Sequence, residues 1–198
     1  MERLHLFPTP VIRTTLTDAD LINVYLSSRL ISLRTQERRG ISPSRQSKGG
    51  WHSHDALHEE SGFTMFADAL RQKVENSLTA EEQATPLWLS ALWANICDRF
   101  GYDKEMHANR GVWRGLYFVR APEKSGRPIF SDPRTQCEQP NTDKSGPNTL
   151  KHAIDVDAGD ILLFPAWLPY DIEANRCEYA GEEGERITLR FVFSKSQR

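Results

Sequence analysis

The chain has 198 residues, 38% hydrophobic and 26% charged, which is enough apolar material for a real core in one ordinary domain. Its 25 Lys and Arg stand against 27 Asp and Glu, a formal charge of -2, which excludes a globally basic nucleic-acid binder and a polyacidic tail protein. No stretch approaches the roughly 18 apolar residues of a membrane helix, and residues 1–10 lack the apolar run of a signal peptide, so a cytoplasmic protein is expected. Cys97, Cys137 and Cys177 are widely spaced and form no CxxC pair, against both a zinc finger and a disulfide framework.

The first expected element is a helix over 18–34. Thr17 and Asp20 give a T-x-x-D start signal, and Leu21, Ile22, Tyr25, Leu26, Leu30 and Leu33 recur at helical spacing. Gly40, Pro43, Gly49 and Gly50 then interrupt the chain. The tract 29–48 carries Arg29, Arg34, Arg38, Arg39, Arg45 and Lys48 against Glu37 alone, and reads as a solvated loop, with a phosphate or nucleic-acid contact as the alternative. Ser61 opens a second helix whose inner face is Phe63, Phe66, Ala67, Leu70 and Val74. The run Leu87–Cys97 is apolar enough to be a helix or a buried strand, and periodicity alone does not choose between them.

Strand signals follow. Residues 115–120 are aromatic and β-branched, and Ile129 and Phe130 sit between prolines. Residues 135–149 form a polar Pro, Gly and Asn loop; 152–156 alternate; 158–160 turn into a strand over 161–164. Residues 186–193 set Ile187, Leu189, Phe191 and Phe193 against Arg186, Thr188 and Arg190, the pattern of a half-buried strand with a basic, polar outer face. Two helices before about seven short strands imply helices packed on a β-sandwich, jelly roll or small barrel.

Four groups of residues could carry chemistry. Trp51-His52-Ser53-His54-Asp55, with His58, offers an H-x-H spacing that on a strand sends both imidazoles to one face, although the flanking Gly49 and Gly50 favour a loop. Glu105, His107 and Asn109 alternate, so a carboxylate or amide oxygen and an imidazole would project together toward a divalent metal. Phe164 to Asp171 is an apolar strand running into a Pro-bounded corner, suited to lining a pocket or ending a strand. Arg186, Thr188 and Arg190 share a face on which Arg and a hydroxyl could grip a carboxylate, or simply meet solvent.

The order of these segments resembles one family almost end to end. Leu6-Phe7-Pro8-Thr9-Pro10, Gly50-Trp51-His52-Ser53, Trp93-Ala94-Asn95-Ile96 and Gly115-Leu116-Tyr117-Phe118-Val119 are similar to successive motifs of the iron(II)/2-oxoglutarate-dependent oxygenases of bacteria and phages. So are the segment from Ser125-Gly126 to Phe130-Ser131-Asp132-Pro133-Arg134, the run Gly159-Asp160-Ile161-Leu162-Leu163-Phe164-Pro165-Ala166-Trp167-Leu168, and Arg186-Ile187-Thr188-Leu189.

The resemblance implies one domain over 1–198, mainly β with α. Helices at about 17–80 would pack on a double-stranded β-helix (jelly roll, cupin-like) core at about 87–194, and 87–97 would be a strand. It also implies Fe(II) and 2-oxoglutarate as cofactors and oxidation of a C–H bond in a small-molecule or peptide substrate. Arg186 and Thr188, with Tyr117, would hold the cosubstrate; Trp51, Trp113, Arg134 and Arg190 would face the substrate.

The metal ligands depart from the family pattern, in which an H-x-H precedes the 115–119 strand and a His follows the Trp-Leu pair by two residues. Here Glu105 and His107, or His107 and Asn109, take the first positions, and Tyr170 takes the last, with Asp132 a further carboxylate. A metal-free, non-oxidative member that binds a carboxylate or does acid–base work with His107, Glu105 and Tyr170 is therefore the alternative. It could act as a homodimer or beside an active oxygenase.

Overall fold

The computed structural model describes residues 8–37, 49–104, 111–133 and 151–195. In chain order the elements are β1 (Ile12–Thr15), α1 (Ala19–Gln36), β2 (Trp51–His52), α2 (Thr64–Ser77), β3 (Leu87–Cys97), β4 (Asp103–Lys104), β5 (Trp113–Arg120), β6 (Pro128–Ser131), β7 (Lys151–Ala153), β8 (Asp160–Pro165), β9 (Tyr170–Ile172) and β10 (Arg186–Lys195). They form two antiparallel sheets, a large one in the order β1-β8-β5-β10-β3-β2 and a small one in the order β4-β9-β6-β7. This is the expected jelly roll with an added helical layer. The ambiguous run Leu87–Cys97 is a strand, paired with β10 along its length with one irregularity at Ser90.

Alternation decides what each face of the large sheet meets. Tyr117 and Val119 of β5, Ile161 and Leu163 of β8, and Ile187, Leu189, Phe191 and Phe193 of β10 pack in one cluster with Leu26, Leu30 and Leu33 of α1 and Phe66, Leu70 and Val74 of α2. The alternate residues Leu116, Phe118, Leu162 and Phe164 face the small sheet and join Phe130, Leu168, Tyr170 and Ile172 in a second cluster. Gly115 is required on the helix side because Phe191 crosses over it: a Cβ there would lie 2.1 Å from the Phe191 ring.

Several local expectations change. The T-x-x-D signal does not build a capping box: α1 starts after Asp18 in a left-handed conformation (φ 56), with no side-chain cap bond. Leu21 and Tyr25 point to solvent, while the buried stripe of α1 is Asn23, Leu26, Leu30 and Leu33. At 100° per residue Leu21 and Tyr25 fall more than a quarter turn from the middle of that stripe. Strand β1 carries no strand signal in the sequence; Ile12 to Thr15 is an edge strand paired, among the described residues, with β8. The alternation over 152–156 yields a strand only as far as Ala153.

The largest correction concerns β10. Its supposed solvent face is buried: Arg186, Thr188 and Arg190 are 1%, 1% and 3% exposed. A second sheet covers them, which no periodicity within the strand could reveal. The 135–149 loop and Cys137 lie outside the described residues, while Cys97 and Cys177 are buried free thiols. Among the described residues no helix is long and apolar enough to cross a membrane.

Candidate functional site

The space between the sheets is where charged and polar side chains collect. On β10 the inward residues are Arg186, Thr188, Arg190 and Val192, opposite the helix-facing set Ile187, Leu189, Phe191 and Phe193. The register sets Arg190 beside Leu116 and Val192 beside Arg114, so Arg114 and Arg190 are diagonal neighbours on adjacent strands. Both are 3% exposed. From the small sheet Tyr170 rises to meet them, paired to Phe130 across β6 and β9. The Arg114 and Arg190 Cζ atoms lie 5.6 Å and 6.0 Å from the Tyr170 ring centre. Apolar rings meet it as well: Phe164 edge-on at 5.0 Å, and Phe130 at 6.0 Å.

Two adjacent guanidiniums in a buried setting are costly. Burial, and then the like charge of Arg190, push Arg114 down to about 10, so it remains charged at neutral pH. Next along β10, Thr188 is flanked in register by Asn95 of β3, and Asn95 by His52 of β2. His52 tilts against the half-buried Trp93 at 6.3 Å. Arg114, Asn95 and Trp93 were not among the expected site residues. Arg114 carried a signal: it is the single charge inside the apolar run from Val112 to Val119.

Arg186, the expected carboxylate clamp, is engaged by the backbone. Its Nη1 donates to the carbonyl oxygens of Ser125 and, at 3.1 Å, Glu173. Gly126 allows this approach, since at φ 99 it has no Cβ to strike Arg186 Nη1 or Glu173 O. The guanidinium therefore ties the β5–β6 loop and the segment after β9 to the start of β10.

Tyr117, Trp51 and Trp113 lie in the helix-side cluster and so are turned away from the space between the sheets. The Tyr117 hydroxyl donates to Asn23 Oδ1 at 2.7 Å, and its ring packs on Phe66 at 4.9 Å. Trp51 Nε1 donates to the Glu37 carbonyl at 3.0 Å. These three aromatics knit the helices to the sheet, because odd positions of β5 and the first residue of β2 take that face. The H-x-H pair is likewise engaged locally: His54 Nε2 meets Glu60 Oε1 at 2.6 Å, and its Nδ1 accepts from the Ala56 amide. Among the described residues no group of three His, Cys, Asp or Glu is arranged to hold a metal. Glu105, His107, Asn109 and Arg134 lie outside the described residues. Asp132 is half-buried, two residues past Phe130.

The described part of the expected iron site does not fit a divalent cation. A guanidinium opposes a nearby dication by like charge, and two stand beside the Tyr170 ring. Any carboxylate brought to this end is also claimed by the arginines in competition with a metal. A phenol in place of an imidazole supplies no neutral nitrogen donor. The same surroundings suit an anion.

Comparison with known proteins agrees with the architecture. Residues 91–191 match the model of a family described as "Putative 2OG-Fe(II) oxygenase". Among curated proteins none matches. Solved structures similar to this chain include HygX from Streptomyces hygroscopicus with iron bound, at a TM-score of 0.61 and 13% identity, covering 95% of this chain and 83% of that one. A Pseudomonas putida prolyl-4-hydroxylase gives a TM-score of 0.62 at 11% identity, covering 96% and 95%. HygX with nickel and 2-oxoglutarate bound gives 0.57 at 14% identity, covering 95% and 84%.

Proposed function

The chain belongs to this 2OG-Fe(II) oxygenase family, and from that premise we propose that it is a non-oxidative member, which uses the space between its sheets to hold a small-molecule ligand rather than to activate oxygen. The observation that carries the reading is Tyr170. It occupies the position where the resemblance expects a histidine ligand, and it is a buried phenol set between aromatic rings and two guanidiniums. Function belongs to the site rather than to the fold, and this site has exchanged a metal donor for cations.

The test is an anaerobic titration of the purified chain with Fe(II) and 2-oxoglutarate, followed by admission of oxygen. The expected result is no visible charge-transfer band and no oxygen-dependent release of succinate. A stoichiometric band, or succinate formed in step with oxygen uptake, would sink the reading.

The second reading is iron(II)- and 2-oxoglutarate-dependent oxidation of a C–H bond, favoured by the family match over residues 91–191. It assigns Glu105, His107 and Tyr170 to iron, with Asn109 or Asp132 as alternatives, and Arg186 and Thr188 to the cosubstrate. The same titration separates the two.

A further inference from the structure

We propose that the outer face of α1 is a dimerisation surface, on which a second copy of this chain packs its own α1 antiparallel across a two-fold axis at Val24 and Tyr25. The inference concerns the helix layer and does not depend on how the space between the sheets is used.

The two helices present different faces to solvent. On α2 the exposed positions include Asp68, Gln72, Glu75 and Asn76, the polar surface that a solvated helix needs. On α1 the exposed positions include Leu21, Val24 and Tyr25, at 74%, 73% and 56% exposure, and with Ser28 they keep the i, i+3, i+4, i+7 spacing of one face. That face looks away from the buried stripe of Asn23, Leu26, Leu30 and Leu33. From Ala19 to Ser28 the helix carries one charge, Asp20. A helix that is apolar on both sides is a helix buried on both sides. Three of the eight large hydrophobic side chains exposed among the described residues stand between Leu21 and Tyr25, so they form a patch rather than scattered singles.

The composition of the face fits a second copy. Two α1 helices paired antiparallel about an axis between Val24 and Tyr25 set Leu21 of each copy opposite Ser28 of the other. Val24 and Tyr25 then each meet their own counterpart. A large side chain over a small one is how facing helices interdigitate, and here the large end and the small end belong to the same face. The pairing also brings Asp18, at the start of the face, toward Arg29 at its far end in the other copy. Asp18 is exposed, and Arg29 keeps 38% of its side chain exposed and stays 3.6 Å from Glu60, beyond hydrogen-bond distance. Opposite charges at the two ends of one face are self-complementary in the antiparallel arrangement, and there the two helix dipoles are opposed as well. A face this small falls short of the roughly 800 Å² per partner of a standard interface, so the dimer is a weak one.

The experiment is sedimentation velocity of the full chain over about 1 μM to 1 mM, a range that brackets a dissociation constant on the order of 100 μM. The native chain is expected to pass from monomer to dimer. Val24→Glu and Val24→Lys are each expected to weaken association roughly tenfold or more, because like charges then meet at the axis. An equal mixture of the two variants is expected to restore it, because the two substituted positions then meet with opposite charge. Circular dichroism checks that each variant is folded. Should either Val24 variant fail to fold, Ser28→Trp on the same exposed face blocks the space that Leu21 of the other copy fills, and is expected to weaken association as well.

A chain that stays monomeric across the range overturns the inference, and so does a dimer that folded Val24→Glu or Ser28→Trp leaves intact. Association lost in both Val24 variants and not restored by mixing them overturns the two-fold pairing. A monomeric chain that sediments with phosphatidylcholine vesicles, and no longer does so as Val24→Glu, overturns it too and assigns the face to a lipid surface.

Discussion

The large sheet has two faces built from alternate residues of the same strands, and they obey different rules. Toward the helices, β5, β8 and β10 present Tyr117, Val119, Ile161, Leu163, Ile187, Leu189, Phe191 and Phe193, all within one apolar cluster. Toward the small sheet the same strands present Leu116, Phe118, Leu162 and Phe164, but also Arg114, Thr188 and Arg190, equally buried. A face that only had to hold the fold together would not carry two guanidiniums, because apolar residues of similar volume serve at least as well there. The helix side is scaffold, and the inner side is where the proposed function places its ligand.

Breaking the scaffold should cost the most. Phe191 is fully buried, edge-on to Phe193 at 5.8 Å and lying against Gly115. Phe191→Ala should lower unfolding stability by about 3–5 kcal/mol in urea titrations. What ligand binding survives in the folded fraction should keep its native affinity. A comparable loss of affinity would mean that the two faces are not separable.

The two buried tyrosines sharpen the contrast more gently, since each can lose only its hydroxyl. Tyr117 donates to the buried Asn23 side chain, and burial, aided by Asp20, pushes its phenol well above the usual range, so it stays a neutral donor. Tyr117→Phe strands the Asn23 oxygen and should cost about 1–3 kcal/mol with no change in ligand affinity. Tyr170 is held by its ring, under the guanidiniums and against Phe164. Tyr170→Phe should shift stability by less than about 0.5 kcal/mol. If Tyr170→Phe proved the more destabilising of the pair, its hydroxyl would be structural and the contrast would fail.

The same two faces show what a sequence can and cannot disclose. The period-two pattern in β10 and the order of the strands were legible, because alternation and turn residues are local properties of the chain. The run Leu87–Cys97 was not assignable by pattern, since its last four residues are buried on both faces and show no alternation. Arg186, Thr188 and Arg190 looked like a solvated edge because one strand cannot announce a second sheet above it. Arg114 stands out only as a lone charge in an apolar run, and its significance lies in a diagonal to Arg190, a residue 76 positions away. Tyr117 drew attention by its motif, yet parity on β5 turns it to the helices.

The smallest expected effect lies where the helix layer meets the end of the sheet. Arg34 of α1 donates to Glu185 at 2.8 Å and approaches Glu182 at 3.8 Å, while Glu185 Oε2 is buried without a hydrogen-bond partner among the described residues. Asp98, just past β3, has its carboxyl raised above the ordinary value of 3.8, first by burial and then by the charge of Glu185, with Arg34 opposing. The folded chain therefore takes up this proton before the unfolded chain does. Stability from Asp98 is absent above the raised value and grows as the pH falls through it toward 3.8. Asp98→Asn removes the charge at every pH. It should raise the melting temperature at about pH 7, and the advantage over the native chain should shrink toward about pH 4. An advantage that stayed constant across that range would show that the Asp98 carboxylate is not what strains the junction. Ligand affinity should stay unchanged at either pH in this comparison, because Asp98 lies at the helix-layer junction and not between the two sheets.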